Sequence, residues 1–153
     1  MVVRTTRADG AQVLTLPETI TIAAARPAIF TTNQQGTGQG AILNQDSSLN
    51  AATNSAARGS VIQIFATGLG PTNPVVPSGT AAPSSPPAVV TNAVTATIGG
   101  ITVPVQFAGL APGFVGLYQV NVEIPAGVTP GPDVPLVLLQ SGVPSNSVTL
   151  AVR

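Results

Sequence analysis

Hydrophobic and polar residues alternate one by one along much of this chain. In residues 117–124, Tyr118, Val120, Val122 and Ile124 fall on one face, and Gln119, Asn121 and Glu123 on the other. A repeat of two is the signature of a strand with one buried face. Residues 93–98 set Val94, Ala96 and Ile98 against Thr95 and Thr97, and residues 101–107 put Ile101, Val103, Val105 and Phe107 together. Gly99-Gly100 between them predicts a two-residue hairpin turn, because glycine accepts the positive φ such turns need. Pro104 cannot donate to a ladder, so its strand is expected at a sheet edge or a bulge.

Residues 60–67 (SVIQIFAT) are more continuously apolar, which predicts a strand covered on both faces. Residues 134–140 and 145–152 read as two more strands, joined by Ser141-Gly142-Val143-Pro144; in the second, Val148, Leu150 and Val152 alternate with Thr149 and Ala151. No 3.6-residue stripe appears. Short strands punctuated by Gly and Pro predict an all-β sandwich, with 60–67 and 117–124 central. Residues 32–40 (TNQQGTGQG) read as a flexible polar loop. The proline-rich stretch 71–92 reads as a long loop, of the kind that is functional or packed as extended polyproline.

The start of the chain echoes its end. Residues 2–7, a turn at Asp9-Gly10, then 12–16 and 19–24 follow the outline of 134–153, with Ile20-Thr21-Ile22-Ala23 matching Val148-Thr149-Leu150-Ala151. Either these are the closing strands of an upstream β-domain, or β-rich ends simply look alike. The expected division is a strand segment over 1–25, a connector or remnant of an upstream β-domain, and a sandwich over 26–153. Val13, Leu14, Leu16, Ile20 and Ile22 are the candidate contacts with a partner strand.

Composition narrows the chemistry. The 153 residues include no histidine, cysteine, tryptophan or lysine; five arginines balance five acids. Histidine is the usual group that titrates near neutrality, so its absence argues against an enzyme. Zero net charge argues against nucleic acid or acidic lipid as partner. A mean hydropathy of +0.43 is too high for disorder, while Pro, Gly and polar residues interrupt every apolar run well short of a membrane span. Residues 1–25 hold no continuous apolar stretch like that of a signal peptide. Thr, Ser, Asn and Gln fill the place of charges, a habit of secreted β-proteins.

Local patterns name few sites. Asn44, Asp46, Ser48 and Asn50 are spaced like the opening ligands of a calcium loop, but Leu49 and Ser55 stand where such a loop needs Gly and Glu. The expectation is a polar turn held by Asx hydrogen bonds, with no metal. Gly36-Thr37-Gly38-Gln39-Gly40 lacks the lysine and helix of a phosphate loop. No serine sits in a Gly-x-Ser-x-Gly elbow, and five dispersed acids make a poor glycosidase pair. Among the aromatics, Phe65, Phe107 and Tyr118 occupy positions expected to face the core. Phe114, between Gly113 and Val115 in a turn, is the candidate ligand-facing ring, the favoured alternative being a loop residue that caps the core. No catalytic residue, metal ligand or cofactor site is expected.

The order of motifs carries a resemblance. The run 59–71 (GSVIQIFATGLGP) is followed by Ile98-Gly99-Gly100, then 107–113 (FAGLAPG) and 116–122 (GLYQVNV). Pro125-Ala126-Gly127-Val128 and Ser145-Asn146-Ser147-Val148-Thr149 close the series. Together these resemble the uncharacterised C-terminal domain of secreted proteins of Solibacter-type acidobacteria, over about residues 26–153. The later part also looks like the IPT/TIG branch of immunoglobulin-like folds, and this likeness implies an immunoglobulin-like (IPT/TIG-like) β-sandwich of about seven strands over 26–153, with the N-terminal strand segment in addition. That resemblance implies binding, spacing and assembly rather than catalysis, and it carries over no functional residues. The expected function is a non-catalytic structural or assembly module at the cell surface or outside the cell. It would associate with itself, in oligomers or filaments through strand addition by the N-terminal segment, or with neighbouring domains. The alternative is a carbohydrate-binding or adhesion module of a larger secreted protein. Neither nucleic acid nor membrane insertion is expected, and the full-length product is expected to carry an export signal.

Overall fold

The computed structural model describes residues 4–6, 8–14, 19 and 23–153. In chain order the strands are β1 (Arg4–Thr6), β2 (Gln12–Leu14), β3 (Ala28–Ile29), β4 (Ile42–Leu43), β5 (Val61–Thr67), β6 (Thr72–Asn73) and β7 (Val89–Val90). They continue as β8 (Val94–Ile98), β9 (Ile101–Pro104), β10 (Phe107–Leu110), β11 (Tyr118–Glu123), β12 (Gly131–Gln140), β13 (Val143–Pro144) and β14 (Val148–Val152). The described residues form no helix, and the protein is all-β. One antiparallel sheet runs β3-β5-β11-β10-β7-β6 with β4 also on β5; the other runs β13-β12-β8-β9 with β14 also on β12. Two such sheets around a shared core are compatible with a β-sandwich. Seven strands have four residues or more (β5, β8–β12 and β14), and the two-residue strands beside them extend the sheets beyond the seven expected.

The alternation dictates the core. Ile62, Ile64 and Ala66 of β5 and Val120 and Val122 of β11 meet Val94, Ala96 and Ile98 of β8, Leu136 and Leu138 of β12 and Leu150 of β14 in one buried cluster. β5 and β11 lie inside their sheet, as expected. The expectation that 60–67 is covered on both faces is corrected: Val61, Gln63 and Phe65 alternate with the buried residues and are only half-buried. Phe65 and Phe107 are therefore not core rings, since Phe107 pairs with Asn121 on the same outer face. Tyr118 does pack against the core.

Residues 101–107 are not one strand. β9 ends at Pro104 in one sheet and β10 starts at Phe107 in the other, so the chain changes sheets at Val105-Gln106. Ile101, Val103 and Val105 still pack on the core. Gly99 and Gly100 form the expected turn, at φ 57° and 85°.

The segment expected to be a flexible loop is a strap. Thr149 N–H donates to Gly38 O (2.8 Å) and Gly40 N–H donates to Thr149 O (2.9 Å), along the open side of β14. Gly40 fits because a Cβ there would meet Ile42 Cδ1 at 2.8 Å and Val148 Cγ2 at 3.0 Å. Farther along, Ala56 N–H donates to Ala151 O, Arg153 N–H to Ala56 O and Arg58 N–H to Arg153 O.

Two asparagine side chains complete this seam by acting as peptide groups. Fully buried Asn50 accepts from Ala151 N–H (2.8 Å) and donates to Ala151 O and to Asn44 Oδ1, both at 2.9 Å. Asn146 accepts from Ile29 N–H (2.7 Å) and donates to Ile29 O (3.0 Å) and Gly36 O (2.8 Å). Each amide offers one acceptor and two donors in the spacing of a backbone unit. One covers β14 and the other β3, so neither edge presents a bare ladder.

The remaining edges of the two large sheets carry proline. A two-residue turn makes its flanking residues, Ile98 and Ile101, a hydrogen-bonded pair. Thr102 and Pro104 therefore turn their backbone groups outward, and Pro104 has no N–H to offer. The same logic applies to Pro144, which follows the Ser141-Gly142 turn opposite Leu139. Pro71 and Pro74 flank β6. The expectation that Pro104 marks an edge strand holds.

β1 and β2 form a hairpin of their own, Arg4 opposite Leu14, with Ala11 N–H donating to Asp9 Oδ1 (2.9 Å) in the expected turn. Among the described residues it pairs with neither large sheet. Val13 and Leu14 fall in β2; their side chains, and all of Leu16, Ile20 and Ile22, lie outside the described residues.

Candidate functional site

Three connections meet at one end of the body: 68–93 between β5 and β8, 111–117 between β10 and β11, and 141–147 between β12 and β14. The proline-rich connection is fastened at several points. Thr91 N–H donates to Pro71 O and Leu110 N–H to Ala88 O. The fully buried Gln140 side chain donates to Leu69 O (3.0 Å) and Asn92 O (3.2 Å), holding both feet of the loop. The 111–117 turn is closed by Ala111 N–H donating to Leu117 O, and bolted to the long loop by Ala82 N–H to Phe114 O and Gly113 N–H to Ala82 O (both 2.9 Å). The backbone around Phe114 is thus fixed while its side chain is free.

A cleft of about 350 Å³ opens between the 68–93 and 111–117 connections, lined by Gly70–Thr72, Val75–Thr80, Leu110, Val115, Gly116 and Tyr118. Its walls are largely aliphatic. Tyr118 is the one ionisable side chain in that lining. Its hydroxyl donates to Gly70 O, its ring packs against both the main core and the small cluster of Ala82, Ala88 and Leu110, and burial raises its pKa above the ordinary 10.0. A neutral phenol already engaged as a donor holds structure rather than moving protons.

Around the mouth stand the three most exposed large apolar side chains among the described residues: Val75 at 81%, Val115 at 58% and Phe114 at 57%. The residues that line the cleft carry no charge, and no residue between Arg58 and Glu123 is ionised at neutral pH. The nearest charge traced from the fold is Arg26, whose backbone N–H donates to Gly68 O.

The other sequence-marked patterns are used up internally. In the 44–50 turn, Ser48 N–H (3.0 Å) and Ser48 Oγ–H (2.5 Å) donate to Asp46 Oδ1, and Asn44 Oδ1 accepts from Asn50. The Ser48 hydroxyl, first among the causes, lowers the pKa of Asp46. Asn44 also donates to Asn54 O (3.0 Å). This is the Asx-held turn expected, in which Asp46 Oδ1 and Asn44 Oδ1 accept from protein donors. No group of three His, Cys, Asp or Glu residues that could hold a metal occurs among the described residues.

A larger depression, about 570 Å³, runs along Ala28–Thr31, Gln34, Gly36 and Asn146. Its Asn146 amide is committed to Ile29 and Gly36, and Thr31 Oγ1 accepts from Gly36 N–H (3.0 Å). Phe30, not marked by the sequence, borders it at 45% exposure. Its position just past a two-residue strand gave no parity by which to place the ring. Comparison with known proteins gives no relative: the chain matches no protein-family model, and neither a curated protein nor a solved structure is significantly similar to it.

Proposed function

We propose that this chain is a non-catalytic immunoglobulin-like module that works outside the cell as a structural and assembly unit. The strand order supports the immunoglobulin-like reading. β4-β5-β11-β10 follows the A-B-E-D order and β9-β8-β12-β14 the C′-C-F-G order of such domains. On that reading the 68–93 and 141–147 connections are the B–C and F–G loops, which share one end of the sandwich. The motif resemblance to secreted acidobacterial domains agrees, as does the scarcity of charge.

The observation that carries the functional reading is the loop-end cleft: pre-formed, aliphatic, and lined by no acid, base or nucleophile poised for chemistry. Such a surface binds; apolar exposure of this kind marks contact sites. The test is turnover of peptide, ester and glycoside substrates by the pure protein. No saturable activity is expected, and activity abolished by changing a single acid would overturn the reading. Fractionation of the source organism should find the native protein at the surface or outside the cell; a purely cytoplasmic location would contradict it.

A second reading, a carbohydrate-binding module, is favoured by the free ring of Phe114. Under it, Phe114→Ala abolishes retention on neutral glycans. Under the structural reading glycan retention is absent in both forms.

A further inference from the structure

We infer that the outer face of the sheet β3-β5-β11-β10 is a flat binding platform for a neutral polysaccharide. The inference rests on the second reading above and moves its contact from the loop-end ring to the sheet.

Register brings the residues together. Ile29 pairs with Ala66 and both are buried, so Phe30 and Phe65, the next pair, point outward side by side. Phe30 N–H donates to Phe65 O (3.0 Å) at that step. Across the sheet Gln119 stands opposite Phe65, and Gly109 opposite Gln119. The neighbouring row runs Gln63, Asn121, Phe107. Gly109 joins the two rows, for a Cβ there would meet Phe107 Cζ at 2.7 Å. The missing side chain lets the Phe107 ring lie over the first row. Rings thus stand at both ends of a row that crosses three strand spacings, about 14 Å, with an amide between them. Three of the four phenylalanines lie on this face, which a sheet packed on one side ordinarily gives to polar residues. Phe30 is 45% exposed, and Phe65 and Phe107 are partly exposed.

The mixture of rings and amides selects the occupant. The six side chains are uncharged, and Glu123, two residues beyond Asn121 on the same face, accepts from Gln106 (3.5 Å). An anion finds no cation among them. A second protein surface laid on the face would cover Gln63, Gln119 and Asn121. Among the described residues these amides make one side-chain hydrogen bond, Gln119 Nε2 to Asn121 Oδ1 (2.8 Å). Amides buried without partners are costly. A neutral sugar meets both demands: its C–H faces lie on the electron-rich faces of the rings, and its hydroxyls exchange hydrogen bonds with the amides.

The test is affinity electrophoresis of the intact chain in native gels holding, in turn, hydroxyethylcellulose, xylan, mannan or dextran. At least one of these polymers should retard the wild type. On that polymer Phe30→Ala and Gln119→Ala should each weaken retention about tenfold or more, with circular dichroism showing both variants folded. Leu139→Ala, which alters an exposed apolar residue of the other sheet, should match the wild type. Retention lost in Phe114→Ala but kept in Phe30→Ala and Gln119→Ala would overturn the platform and leave the carbohydrate reading at the loop end. Retention on none of the four polymers would overturn the platform and the carbohydrate reading together.

Discussion

The two ends of this body are built on opposite electrostatic terms. At the end away from the loops, Glu123 closes β11, Asp133 lies at the start of β12 and Arg153 follows β14. Arg58 joins Arg153 through its backbone, and Asp46 feels the Arg153 charge. At the loop end, Arg26 stands beside Gly68, and the cleft itself is lined by uncharged, largely aliphatic residues. A charged end keeps its water, because removing it is costly; a neutral one gives water up cheaply. The lesson is that hydration, more than shape, separates the surface that stays free from the surface that can be covered.

The sharpest way to break this comparison is to place one charge at each kind of valine. Val120→Asp, in a site with no exposure, should abolish folding, as an unpaired buried carboxylate costs several kcal/mol. Val115→Asp, at 58% exposure, should leave stability within about 0.5 kcal/mol and alter association alone. Urea denaturation followed by circular dichroism separates the two; equal loss at both sites would mean the loop end is part of the core.

The amide seam comes next. Asn50→Ala should cost about 3 kcal/mol, since Ala151 N–H and Asn44 Oδ1 lose their partner in a buried site. Asn146→Ala should cost about 2 kcal/mol through Ile29 N–H. Exposed Asn33, bonded only within its own turn, should cost less than about 0.5 kcal/mol on the same change.

At the cleft floor, Tyr118→Phe should cost about 1 kcal/mol by removing the bond to Gly70 O. Burial raises this phenol's pKa, so the fold favours its protonated form. Its contribution is full below pH 10.0 and declines as pH rises through the higher folded value. The alkaline stability curve of Tyr118→Phe should lack that decline. The smallest effect on stability is expected from Pro104→Thr, which restores an outward N–H on β9. It should change the midpoint of unfolding little, yet raise aggregation seen by light scattering.

How much of this was legible in the sequence follows from the range of the interactions. Alternation in 93–98 and 117–124 is local, and it gave both the buried face and the central place of the second strand. Pro104 announced an edge by its chemistry. The change of sheet at Val105-Gln106 left no such mark, because the period of two continues through it while the partner strand changes. Phe65 was misplaced because β5 carries apolar residues on both faces, so alternation could not choose between them. The strap over 32–40 looked flexible because its partners, Thr149 and Asn146, lie more than 100 residues away. Phe114 was visible as a ring between a glycine and a valine in a turn. The cleft beside it depends on Ala82 bolting two loops together, and nothing near Ala82 in the sequence signals that.

The central claim is that side-chain amides replace the missing neighbours of β3 and β14 and so close those two edges of the large sheets. Hydrogen exchange of individual backbone amides, read by NMR on the intact chain, tests it most directly. The amides of Ile29, Thr149 and Ala151 should exchange nearly as slowly as those of Ile64 and Val120 inside the sheet, with Val75 and Val115 exchanging fast. Exchange of Ile29 and Ala151 at the rate of exposed edge amides would contradict the account.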